Sequence, residues 1–85
     1  TGIREAADLG MYAQTLMLSM TAHGVGSCPQ TALSFIADRL RKTLDISEDY
    51  KLMFGISFGY PDEGHASSNA LTDRAELDSL VRFYS

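Results

Sequence analysis

The chemistry open to this chain centres on HGVGSCPQTAL, His23–Leu33, where two glycines, a lone cysteine and a proline lead into an apolar helical pattern. Gly24 and Gly26 allow positive φ angles and a close backbone approach to a flat ligand. Pro29 fixes the direction of the helix that follows. The N–H groups of Gln30, Thr31 and Ala32 then fall in a first helical turn, where they have no intrahelical acceptor. Such donors suit an anion or an electron-rich ring atom. The same residues also make a serviceable helix–helix connection with a good C-cap and a good N-cap, and spacing does not separate the two readings.

A second candidate is Arg74. It and Arg82 are the only Lys or Arg residues after Lys51, and it follows a polar loop that holds Asn69 and Thr72. A guanidinium at the end of such a loop suits a phosphate or carboxylate; an ion pair with Asp73, Glu76 or Asp78 uses the same spacing. The other reactive side chains offer less. His23 sits at a helix end, as a cap or a C-terminal cation, and His65 with Asp62 and Glu63 reads as a solvated turn. Neither histidine has neighbours at metal-ligand spacing, so no metal is expected. Cys28 would gain nucleophilic character at a helix start, but no base adjoins it, and no nucleophile-elbow motif is present. Gln14, inside an apolar helix, pairs across an interface or touches a ligand. No side chain of this chain is assigned a catalytic acid–base role.

The elements that must position these residues follow from periodicity. Ile3 to His23 reads as a helix rich in Ala, Leu and Met. From Leu9 to Met20 its apolar residues cover far more than one stripe, the mark of a buried helix. Little other material exists to cover it, so the pattern implies a missing partner surface, either an upstream segment or a second subunit. Gly24 ends the helix at the left-handed C-cap position. A second helix is expected from Pro29–Thr31 to Leu44, with Leu33, Ile36, Leu40 and Leu44 on its apolar face. After a polar turn at Asp45–Asp49, Lys51–Tyr60 alternates as a strand. One face carries Leu52, Phe54, Ile56, Phe58 and Tyr60. The other is small at Gly55, Ser57 and Gly59 and admits a close helix or backbone; the pattern reads as a central strand. Pro61–Asp73 is a loop, and Ala75–Phe83 a short helix with Leu77, Leu80 and Val81 turned inward.

Composition sets the outer limits. Eighty-five residues, 45% hydrophobic and 21% charged, make one globular domain at most. A net charge of −4 argues against nucleic acid or an anionic membrane as partner. One cysteine excludes an internal disulfide and points to a reducing, cytoplasmic setting. No apolar run approaches the roughly 20 residues that span a bilayer, and no signal peptide is visible. The chain opens on Thr1 directly in a helical pattern and reads as a piece of a longer or processed polypeptide.

Four segments in order, DLGMYAQTLMLSMTAHG, GVGSCPQTAL, LMFGISFGYP and the Asn69-to-Arg74 stretch followed by LDSLVRF, resemble the C-terminal half of the nitroreductase family of FMN enzymes. The likeness covers nearly the whole chain and is nearest to members with Cys-Pro-Gln at the break and Gly-Ile-Ser-Phe-Gly-Tyr at the strand end. The resemblance implies an α+β fold in which a long buried central helix and further helices pack on a sheet. Residues 1–85 would then form the C-terminal portion of a single domain, in a homodimer that binds FMN at its interface. Pro29, Gln30, Thr31 and Ala32 fall where the family lays backbone against the flavin ring, with Thr31 N–H as donor to flavin N5; Arg74 falls on the family's phosphate-holding arginine. Hydride would pass from NAD(P)H through the flavin to a nitroaromatic, a quinone or a similar small acceptor. Two departures stand out: Thr31-Ala32 replaces a common Glu-Gly, and Thr72 replaces a frequent lysine. The family's N-terminal Arg-x-Ser-x-Arg phosphate motif has no counterpart in these residues. The alternative is a non-catalytic helical dimerisation module, or a fragment that does not hold FMN by itself.

Overall fold

The computed structural model describes residues 2–62, 64 and 71–85. Helix α1 spans Ile3–Ala22, strand β1 Gly26–Gln30, a 3₁₀ helix Thr31–Ile36, helix α2 Ala37–Leu44, strand β2 Gly55–Gly59 and the one-turn helix α3 Leu77–Leu80. The strands form an antiparallel pair, with Gly26 opposite Gly59, Cys28 opposite Ser57 and Gln30 opposite Gly55. Helix α1 packs on β1, and the 3₁₀ helix runs into α2.

α1 ends as its sequence dictates. Gly24 adopts φ 77°. Its N–H donates to the Thr21 carbonyl at 3.0 Å, and the Val25 N–H donates to the Met20 carbonyl at 2.8 Å. These two bonds are those of the Schellman motif, which returns otherwise orphaned carbonyls to hydrogen-bonded partners. His23 adds a third contact, its Nδ1 lying 2.8 Å from the Ser19 carbonyl, so this histidine is a C-cap. An L-residue at Gly24 would strain the left-handed backbone. Gly24→Ala is therefore expected to lower stability by about 1–2 kcal/mol, read as a lower denaturant midpoint with an unchanged slope.

The break differs from the sequence expectation. Residues Gly26–Gln30 form a strand, and no helix starts at Pro29. A 3₁₀ turn begins at Thr31, and regular α-helix only at Ala37. Gly26 and Pro29 weaken a strand locally, yet pairing with β2 overrides that preference. Proline fits because β1 is an edge: its missing N–H can face away from the partner. Cys28 accordingly sits in mid-strand and not at a helix start.

Three further expectations change. β2 is shorter than the alternating run Lys51–Tyr60, and among the described residues β1 is its one partner. α3 is one turn where Ala75–Phe83 was expected, because Glu76 and Val81 on either side are extended. Leu77 and Leu80 are exposed on it, as is Val81, since nothing among the described residues covers them. A single turn has little stability of its own. In the connection, His65 and Asn69 lie outside the described residues.

Arg41 fastens the α2–β2 connection. Its Nη1 donates to Asp38 Oδ1 at 2.6 Å and its Nε to the Tyr50 carbonyl at 3.0 Å. Asp45, in the left-handed region at φ 54°, closes α2, and the Ile46 N–H returns to the Arg41 carbonyl at 2.9 Å.

Little of this is covered. Ala13, at 5% exposure, is the only described residue in a core. Met11, Tyr12 and Leu18 on α1 are each more than 60% exposed. The accessible surface is 7900 Å², against roughly 5,000 Å² for a compact chain of this length. The radius of gyration is 16.7 Å, against roughly 12 Å. The long central helix, expected to be buried, is bare within this chain.

Candidate functional site

The site is built around the β1–3₁₀ junction. Pro29 and Gln30 end β1, and Gln30 is extended at φ −121°, ψ 90° as the residue preceding the 3₁₀ helix. Thr31 and Ala32 open that helix, so neither N–H has an intrahelical acceptor. No side chain caps the turn, and among the described residues neither amide donates to any other backbone carbonyl. Both residues are exposed. The junction therefore holds two adjacent N–H donors, on exposed residues, that have no partner among the described residues. A flat acceptor can approach them because Pro29, beside them, adds no donor and holds the backbone stiff.

The 3₁₀ helix is held against β2 through Leu33. A Cβ added to Gly55 would overlap Leu33 Cδ1, so the absence of a side chain at Gly55 is what admits Leu33. This is the close approach expected of the small face of β2.

Farther along that face, Gly26, Cys28, Ser57 and Gly59 line a shallow depression of about 410 Å³ that Tyr60 and Pro61 border. Cys28 is exposed, and its Sγ lies 3.6 Å from the Pro29 carbonyl. No residue of the Gln30–Ala32 segment lines this depression.

Arg74 stands apart from the junction in its recorded bonding. Its Nη1 donates to Thr72 Oγ1 at 2.7 Å, to the Thr72 carbonyl at 3.3 Å and to the Asp73 carbonyl at 3.1 Å. All three acceptors are neutral. Among the described residues Arg41–Asp38 is the only ion pair, so Asp73, Glu76 and Asp78 do not neutralise Arg74. Thr72, which takes the place of a frequent lysine in the family the sequence resembles, here accepts from the guanidinium and steadies it. No hydrogen bond among the described residues joins Arg74 to Pro29–Ala32.

The remaining candidates do not assemble into a reactive group. Gln14 is exposed on α1. No cluster of three His, Cys, Asp or Glu among the described residues could hold a metal, and no described helix is long and apolar enough to cross a membrane. Sequence reasoning missed β1; it expected a close approach at Gly55 but not that Leu33 makes it.

These donors fit a flavin. The ring needs N–H groups along one edge, which Thr31 and Ala32 offer, and the phosphate needs a cation, which Arg74 offers with no carboxylate partner among the described residues.

Known proteins match this arrangement. A family model described as the nitroreductase family matches residues 3–60. Nitroreductase NfnB of Mycolicibacterium smegmatis is 53% identical over 83 residues, which are 98% of this chain and 35% of that protein. A 4-nitrobenzoate reductase of Pseudomonas putida is 33% identical over 70 residues, covering 82% of this chain and 30% of that protein. The crystal structure of the FMN-dependent nitroreductase NfnB from Mycobacterium smegmatis in complex with NADPH superposes with a TM-score of 0.95 at 52% identity. It takes in all of this chain and 38% of that one. The chain thus spans about a third of the length of the relatives it matches. With two thirds of its residues under the family model and its backbone superposed on a solved member, the chain belongs to the nitroreductase family.

Proposed function

We propose that residues 1–85 are the C-terminal portion of a single nitroreductase-like domain in an FMN-dependent oxidoreductase, and that this portion supplies part of the FMN site. The observation that carries the reading is the pair of N–H groups of the exposed residues Thr31 and Ala32, which have no partner among the described residues. It stands in a chain 53% identical to a nitroreductase.

In this reading the backbone of Pro29 and Gln30 would lie against the flavin ring. The Thr31 N–H donates to N5, and the Ala32 N–H lies beside it. The methyl of Ala32, where relatives commonly have glycine, narrows the approach but leaves the N–H in place. Arg74, steadied by Thr72, holds the phosphate through charge-assisted hydrogen bonds. When bound, FMN supplies the redox chemistry, taking hydride from NAD(P)H and passing it to a nitroaromatic, a quinone or a similar small acceptor. The protein's own task is to orient and to donate hydrogen bonds, so no acid–base side chain is needed in this segment.

The bare apolar surface of α1 supports a homodimer, since one helix face that meets its own copy makes an isologous contact. A single free cysteine, exposed on β1, is consistent with a cytoplasmic setting.

Purified intact protein is expected to be yellow, with flavin absorption close to one FMN per chain. A colourless protein that takes up no added FMN would overturn the reading and favour the non-catalytic dimerisation module. The large bare apolar surface of this chain is the observation that keeps that second reading in view.

A further inference from the structure

The geometry points to Gly55 and Leu33 as a positioning pair: the bare backbone at Gly55 seats Leu33, and that contact sets where the Thr31 and Ala32 N–H groups stand. The consequence for FMN rests on the reading given under Proposed function; the placement of the amides does not.

Three observations carry it. An added Cβ on Gly55 would overlap Leu33 Cδ1, the far end of that side chain, and stand 3.7 Å from Leu33 Cγ, so a methyl fits only if Leu33 moves from its seat. Gly24 is the only described glycine with a positive φ, which leaves space, and not backbone conformation, as the need for glycine at 55. The pair also sits at the right place in the chain. Gly55 is the register partner of Gln30, and Leu33 is the third residue of the 3₁₀ helix that Thr31 begins. Gly55 therefore braces that short helix from beneath, while the strand ladder holds its start. A 3₁₀ helix has poorer hydrogen-bond geometry than an α-helix and yields more readily to a push, so displacement of Leu33 is passed to the two residues before it.

Gly59 is an internal control. It lies on the same strand and the same face, and a Cβ there meets nothing within 4 Å.

The experiment compares Gly55→Ala, Gly59→Ala, Leu33→Ala and the double variant Gly55→Ala/Leu33→Ala in the intact protein. Two readouts are taken: the Thr31 and Ala32 amide resonances in proton–nitrogen correlation spectra of FMN-free protein, and the FMN dissociation constant. Gly55→Ala is expected to move both resonances and weaken FMN about tenfold, as for strongly coupled neighbours. Gly59→Ala should move neither. On the Leu33→Ala background, Gly55→Ala should have no further effect. If Gly55→Ala does not fold, Leu33→Ala alone, which empties the same seat, is still expected to move the two resonances.

Unmoved resonances in folded Gly55→Ala would mean that Leu33 turns aside freely, and would overturn the proposal. Moved resonances with unaltered FMN affinity would uphold the placement and count against the flavin reading instead.

Discussion

Arg74→Ala is expected to weaken FMN binding by about 10- to 150-fold, the range that follows from losing a charge-assisted hydrogen bond of about 1.5–3 kcal/mol. The guanidinium is exposed, so its attraction to a phosphate is screened and the lower part of that range applies in concentrated salt. Its described partners are the Thr72 hydroxyl and two main-chain carbonyls. None has to give up an ion pair before a phosphate binds, so the full strength of the new bonds is available. Arg74→Lys keeps the charge and loses the two-pronged donor, and should fall between wild type and alanine. Raising ionic strength should weaken wild-type binding more than that of Arg74→Ala. The measurement is the FMN dissociation constant by fluorescence titration of the FMN-free protein. An Arg74→Ala constant equal to that of wild type would remove the arginine from the site.

Thr31→Pro should lower FMN affinity by about 5- to 150-fold, equivalent to about 1–3 kcal/mol for one lost donor, and should also alter the absorption spectrum of any FMN that remains bound. The substitution deletes one N–H and leaves most else intact. Proline is well tolerated at the first helical position, where the N–H has no intrahelical acceptor. The preceding residue, Gln30, is already extended, as a residue before proline prefers. The Thr31 carbonyl, which accepts from Ser34 Oγ at 3.0 Å, is retained. Thr31→Ala makes the matched comparison: it removes the hydroxyl, keeps the N–H, and should leave affinity and spectrum near wild type. Equal effects from the two variants would show that the side chain, and not the main-chain donor, matters there.

What could be read from the sequence divides along a physical line. Features that depend on neighbours in the chain were legible. The C-terminus of α1 followed from Gly24, because only glycine takes a left-handed angle without cost, and the Schellman bonds of Gly24 and Val25 close within six residues. His23 followed as a cap for the same reason. The mismatch between an apolar α1 and the little material able to cover it was legible from counting alone, and it reappears as the bare Met11, Tyr12 and Leu18. The order of the four family segments was legible too, and the family match bears out the membership they implied.

Features that depend on distant partners were not. GSCPQ has the composition of a breaker, and only pairing with Gly55–Gly59 makes it a strand. The short α3, with Leu77 and Leu80 exposed, failed the reverse test: its apolar spacing suits a helix face, but no surface in this chain receives it.

By itself, then, the sequence determined where the backbone must turn and which family it serves, since turn chemistry and ordered motifs are local and survive in one dimension. Tertiary structure alone decided that Pro29 lies in a strand and that Leu33 is the side chain for which Gly55 makes room. Each of these depends on hydrogen bonds or space shared by residues about twenty or more positions apart, which no local preference encodes.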